Sequence, residues 1–67
     1  MVLFSLEEMN IIEMYHGKTK ESTIQNMRLA APYMDKHFRK MTLRIMEKTD
    51  LLTEEDFMNL LLFTAME

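Results

Sequence analysis

Two stretches of this 67-residue chain open with the same device, and that device commits the chain to helices. In Phe4-Ser5-Leu6-Glu7-Glu8-Met9 the Ser5 hydroxyl can cap, Glu8 three residues later can close a capping box, and Phe4 can staple onto Met9. In Leu52-Thr53-Glu54-Glu55-Asp56-Phe57 the cap is Thr53, Asp56 stands at the third position, and Leu52 can staple onto Phe57. Capping chemistry alone generates most of this likeness, so no ancestral repeat is inferred from it.

The first device predicts a helix from Leu6 to His16, with Met9, Ile12 and Leu6 on its inner face and Glu7, Glu8 and Glu13 on its wet side. Gly17, the only glycine, is placed where a residue able to take positive φ ends a helix. Thr19 or Lys20 opens a second helix with Ile24, Met27 and Ala31 on one stripe and Thr23 and Ala30 beside it. Pro32 must end it, and the ring suits the first turn of the next helix. The third helix, from Tyr33 or Asp35 to Lys48, carries Met34, Phe38, Met41 and Ile45 at spacings of four, three and four. A fourth runs from the Thr53 cap to about Phe63. No stretch alternates apolar and polar residues long enough to argue a strand. The expected architecture is all-α, a compact bundle of three to four short helices in one domain over 1–67. Its expected core is Phe4, Met9, Ile12, Ile24, Met27, Phe38, Met41, Ile45, Leu52, Phe57, Leu60 and Leu61.

A domain this short buries only about 60% of its unfolded surface, so the core must work without reserve. There is no Cys, which excludes disulfides, thiolate nucleophiles and cysteine-based zinc sites. Even a run as long as Leu60 to Phe63 falls far short of the ~20 residues of a membrane span, and the amino terminus lacks the marks of a signal peptide. A cytoplasmic location with no membrane contact is expected. His16 and His37 lie on different predicted segments with no third ligand at metal spacing. Glu7, Glu8, Glu54, Glu55 and Asp56 sit where a helix dipole favours acids, so capping accounts for them without catalysis. The chain is therefore expected not to be an enzyme, and no cofactor, metal or small-molecule substrate is expected.

Two features remain for function. The net charge of −3 argues against a general nucleic-acid binder, yet it is unevenly spread. Residues 35–48 hold five basic and two acidic groups, whereas residues 49–67 hold no basic and five acidic ones. Lys36, Lys40, Arg44 and Lys48 recur every four residues with Arg39 alongside, a ridge able to grip phosphates or an acidic partner, or simply a solvated face. The second feature is apolar surface. Nine methionines suit irregular cores or adaptable binding surfaces, and Leu60 to Phe63 cannot all face inward on one helix. Met58, Leu61, Leu62 and Phe63 are the expected interface to a protein partner or a second copy.

The order of these features resembles a small bacterial family, the transposon-transfer assisting proteins encoded within conjugative transposons. The residues that carry the resemblance are Phe4-Ser5-Leu6-Glu7-Glu8-Met9-Asn10-Ile11-Ile12 with Tyr15, then Thr23-Ile24, then Leu51-Leu52-Thr53-Glu54-Glu55-Asp56-Phe57 with Leu60 and Leu62. The resemblance implies a helical fold and the setting of a mobile element, and it brings no catalytic residues. With the apolar surface it makes the expected function that of a non-enzymatic accessory, a protein-interaction module assisting transfer or its regulation. The alternative is a small DNA-associated regulator using Lys36, Arg39, Lys40, Arg44 and Lys48.

Overall fold

Each helix begins where a side chain satisfies the first backbone donors. The computed structural model describes the backbone of residues 4–65 and the side chains of residues 4–61. Its elements are α1 (Leu6–Tyr15), α2 (Lys20–Ala30), a 3-10 turn (Ala31–Tyr33), α3 (Lys36–Asp50) and α4 (Glu54–Ala65). The capping box of α1 is closed on both sides. The Glu8 amide donates to Ser5 Oγ at 3.1 Å and the Ser5 amide donates to Glu8 Oε1 at 2.8 Å. α2 uses Thr19 and Ser22 in the same reciprocal way, at 3.0 and 2.9 Å. The Phe38 amide donates to Asp35 at the start of α3, and the Asp56 amide donates to Thr53 Oγ1 at the start of α4.

Packing follows from which arc of each helix is apolar. Ile12, Met27, Ile45 and Phe57, one from each helix, are fully or almost fully buried, with Ile11, Ile24, Ala31 and Met46 around them. Burying one such large side chain is worth about 2 kcal/mol. Phe4, Phe38, Met41, Leu52, Leu60 and Leu61 pack on the edge of that cluster, half-buried. The bundle has a radius of gyration of 11.1 Å, the size about 67 close-packed residues require. Among the described residues there is no strand.

Several expectations need correcting. Leu6, expected inside, is 60% exposed and Glu8, expected on the wet side, is buried, because the inner arc of α1 is centred on Glu8, Ile11, Ile12 and Tyr15, about 180° from Leu6. Gly17 does not take positive φ. Its constraint is space: a Cβ there would collide with Ser22 Oγ and lie 2.9 Å from Ser22 Cβ, and Ser22 is held in the α2 capping box. The Gly17 amide in turn donates to buried Thr23 Oγ1 at 2.9 Å. Pro32 lies not in α3 but in the separate 3-10 turn, and Asp35 caps α3 after it. α3 also runs two residues past Lys48, to Asp50.

Polar groups tie the helices to one another. Asn26 Nδ2 donates to the Tyr15 carbonyl at the end of α1. Lys20 joins three elements. Its amide, the first of α2, donates to both oxygens of Glu54 at 3.1 and 3.0 Å, while its ammonium donates to the carbonyls of Asp50 and Leu52 where α3 ends. A cation on the carbonyl end of one helix and a carboxylate on the amide end of another both match the helix dipoles.

Candidate functional site

The outer side of α3 is one candidate surface, and its basic residues divide into two groups. Successive positions four apart on a helix drift by about 40°, so the row from Lys36 to Lys48 winds by roughly 120° and its far end reaches the core rim. There Lys48 Nζ meets Glu8, at 2.9 and 3.0 Å from its two oxygens, and lies 5.5 Å from the centre of the Phe4 ring. Glu8 is buried, and burial alone would raise its carboxyl pKa. The Ser5 amide, then Lys48 by hydrogen bond and charge, then the Ser5 hydroxyl outweigh that and hold it below its ordinary value.

Arg39 is also built in. Its guanidinium donates to the carbonyls of Ala31 at 2.9 Å, Pro32 at 3.3 Å and Met34 at 2.9 Å, and at Ala31 it shares the acceptor with the Met34 amide, which donates to the same carbonyl at 3.1 Å. Of the five expected ridge residues, then, Arg39 and Lys48 hold the fold. Lys36, Lys40 and Arg44 are exposed, with His37 near them, and among the described residues no hydrogen bond or ion pair holds those three.

The other candidate lies on α4. Met58, 44% exposed, and half-buried Leu61 form a shallow apolar cleft with the segment His16-Gly17-Lys18 that follows α1. Leu62 and Phe63 lie outside the residues whose side chains the structure describes. The methionines divide between core and surface. Met27 and Met46 are buried, Met9, Met34 and Met41 are half-buried, and Met14 and Met58 are exposed. Met27 and Met46 belong to the core cluster and Met41 packs against it.

The acids at the helix starts are in part structural. Glu8 is engaged by Ser5 and Lys48, and Glu54 by the first amide of α2, whereas Glu55 and Asp56 are exposed. Among the described residues no three acidic, histidine or cysteine side chains gather as a metal site, and no helix is long and apolar enough to cross a membrane. Sequence reasoning did not single out Lys20, nor Glu54 as a tertiary cap. The signal was present as Lys20 immediately after a capping Thr19, but the carbonyls it reaches are 30 and 32 residues away.

Fold and surface together define a small all-α protein whose candidate sites are shallow faces rather than an enclosed cavity. The chain belongs to the family described as "Putative transposon-transfer assisting protein", whose model matches residues 4–64. No curated protein and no solved structure matches the chain. The matched span takes in both capping devices, all the helices up to Thr64 and the whole buried cluster.

Proposed function

We propose that the chain is a non-enzymatic accessory of conjugative-transposon transfer that works by binding a protein of the transfer apparatus through the apolar cleft on α4. The observation that carries this reading is the placement of Met58 and Leu61 beside His16-Gly17-Lys18. This is an adaptable, partly uncovered apolar surface edged by Lys18, in which Leu61 joins the core cluster to the exposed Met58. The non-enzymatic part is supported by how the carboxylates are used, since Glu8 and Glu54 are bonded to helix amides and to Lys48 rather than converging on a pocket. The test is complementation. A donor lacking the gene is expected to transfer the element less often, and Met58→Glu, folded and present at normal level, is expected not to restore it. Full restoration by Met58→Glu would overturn the reading.

The second reading, a small DNA-associated regulator, is favoured by one observation, the exposure of Lys36, Lys40 and Arg44 without internal partners among the described residues. Under it, duplex DNA shifts the resonances of α3 in a salt-dependent way, and Lys40→Glu with Arg44→Glu abolishes the shifts. Loss of complementation by that pair, with Met58→Glu active, would favour it over the adaptor.

A further inference from the structure

The exposed positions Lys36, Lys40, Leu43, Glu47 and Asp50 recur on α3 at spacings of four, three, four and three. That is the spacing of a helix-pairing seam, and it runs nearly straight along the outer side of the helix. Its composition is ordered. The two lysines occupy the amino-terminal half, the two acids occupy the carboxy-terminal half, and Leu43, 47% exposed, stands at the centre. Leu43 also walls a shallow depression between α2 and α3 floored by buried Ile24 and Met46.

We propose that this face of α3 is a self-docking surface, and that its occupant is the same face of a second copy, lying antiparallel about a two-fold axis at Leu43. The axis sets Leu43 against Leu43 of the second copy, Lys40 beside the second copy's Glu47, and Lys36 opposite its Asp50. A two-fold contact must be complementary to itself, and a row that is basic, apolar and then acidic meets that condition only when the helices run in opposite directions. Run parallel, it would set lysine on lysine and acid on acid, so the charge order selects orientation and register while the leucines supply the dry centre. α3 has 15 residues, about 22 Å of helix, so the contact is small and the dimer forms and dissociates with concentration. The seam uses none of the residues of the α4 cleft, and the proposal stands whether or not that cleft binds a partner.

The test is solution mass across micromolar to millimolar concentration, by sedimentation equilibrium, with two charge-reversed variants of the full chain. Wild type is expected to move from 8.1 kDa toward twice that mass as concentration rises. Lys36→Glu with Lys40→Glu makes the row acidic throughout, and Glu47→Lys with Asp50→Lys makes it basic throughout. Each alone is expected to associate weaker by on the order of tenfold or more. An equimolar mixture of the two is expected to recover a dimer, which a misfolded variant could not do. The proposal is overturned if wild type stays monomeric up to ~1 mM, or if the variants dimerise like wild type. It is also overturned if Met58→Glu and not the reversals abolishes the dimer, or if the reversals leave mass unchanged and abolish binding to duplex DNA.

Discussion

The two flanks of α3 carry the same charge and do different work. On the flanks that face other elements, Arg39 and Lys48 are half-buried and their charges are consumed by three carbonyls and by one carboxylate. On the outer side, Lys36, Lys40 and Arg44 are in water. In sequence all five belong to one ridge. What separates them is the angular drift of a row spaced by four, which carries Lys48 round to α1, and the proximity of Arg39 to a turn that ends with unmet acceptors. A cluster of like charges in a sequence is therefore not yet a surface.

The comparison is broken most forcefully at Arg39. Replacing it by Ala removes its bonds to the carbonyls of Ala31, Pro32 and Met34 at the α2–α3 junction, leaving Ala31 with the Met34 amide alone, and is expected to cost about 2 kcal/mol. For a domain of this size that lowers the thermal midpoint by roughly 10 °C, read by circular dichroism. Arg39→Lys should recover less than half, since an ammonium cannot span carbonyls arranged for a planar fork. A loss from Arg39→Ala no larger than that from Arg44→Ala would show that the division between the two groups is wrong.

Next in size is the pair between Glu8 and Lys48. Glu8→Gln keeps an acceptor for the Ser5 amide but removes the carboxylate charge that Lys48, 31% exposed, meets at 2.9 Å, at an expected cost of about 1 kcal/mol near neutral pH. The sign with pH follows from the lowered carboxyl. Its contribution is fully present above the ordinary glutamate value of about 4.3 and is lost as pH falls through the lower folded value. Denaturation curves of wild type and Glu8→Gln should therefore converge as pH drops from about 5 to 3. Curves that stay parallel through that range would show that the pair does not stabilise the fold.

How much of this was legible follows the range of the interactions. Ser5, Glu8, Thr19 and Thr53 act within three or four residues of themselves, and each caps where its spacing says it should. Of the apolar positions with a plain helical period, Ile12, Ile24, Met27, Ala31, Ile45 and Phe57 are buried, whereas Met9, Met34, Phe38 and Met41 are half-buried. The readings that failed involve residues whose type disguises their place. Thr42 and Thr49 share the buried arc of α3 with Ile45, and a stripe drawn only through apolar residues passes beside them, through Met41 and Phe38, which are half-buried. Thr49 meets its need inside the helix, donating to the Ile45 carbonyl at 2.7 Å. Gly17 reads as a turn residue, yet it is demanded by the approach of Ser22. Lys20, Arg39 and Lys48 find partners that only the folded chain brings near, and no local pattern marks them. The seam at Lys36, Lys40, Leu43, Glu47 and Asp50 was written in the spacing, but it mixes both charges with one leucine and shows as a row only once the inner arc of α3 is known.

The smallest expected effect separates a solvated ridge from one kept for binding. Lys36, Lys40 and Arg44 stand at successive spacings of four, so each neighbouring pair repels by a few tenths of a kcal/mol. Lys40→Glu replaces both repulsions by attractions one turn away on either side, and is expected to raise the stability of the monomer by about 0.5 kcal/mol at low salt. The gain should vanish toward 1 M salt, where exposed charges no longer feel one another. Denaturant titrations at the two salt concentrations, run dilute enough to exclude association, would read it. A gain that disappears with salt means the wild-type row stands at a cost to the isolated fold, as a contact surface would. A loss that persists at high salt would mean that Lys40 is part of the packing, and the outer side of α3 would then have to be regarded like the flanks that hold Arg39 and Lys48.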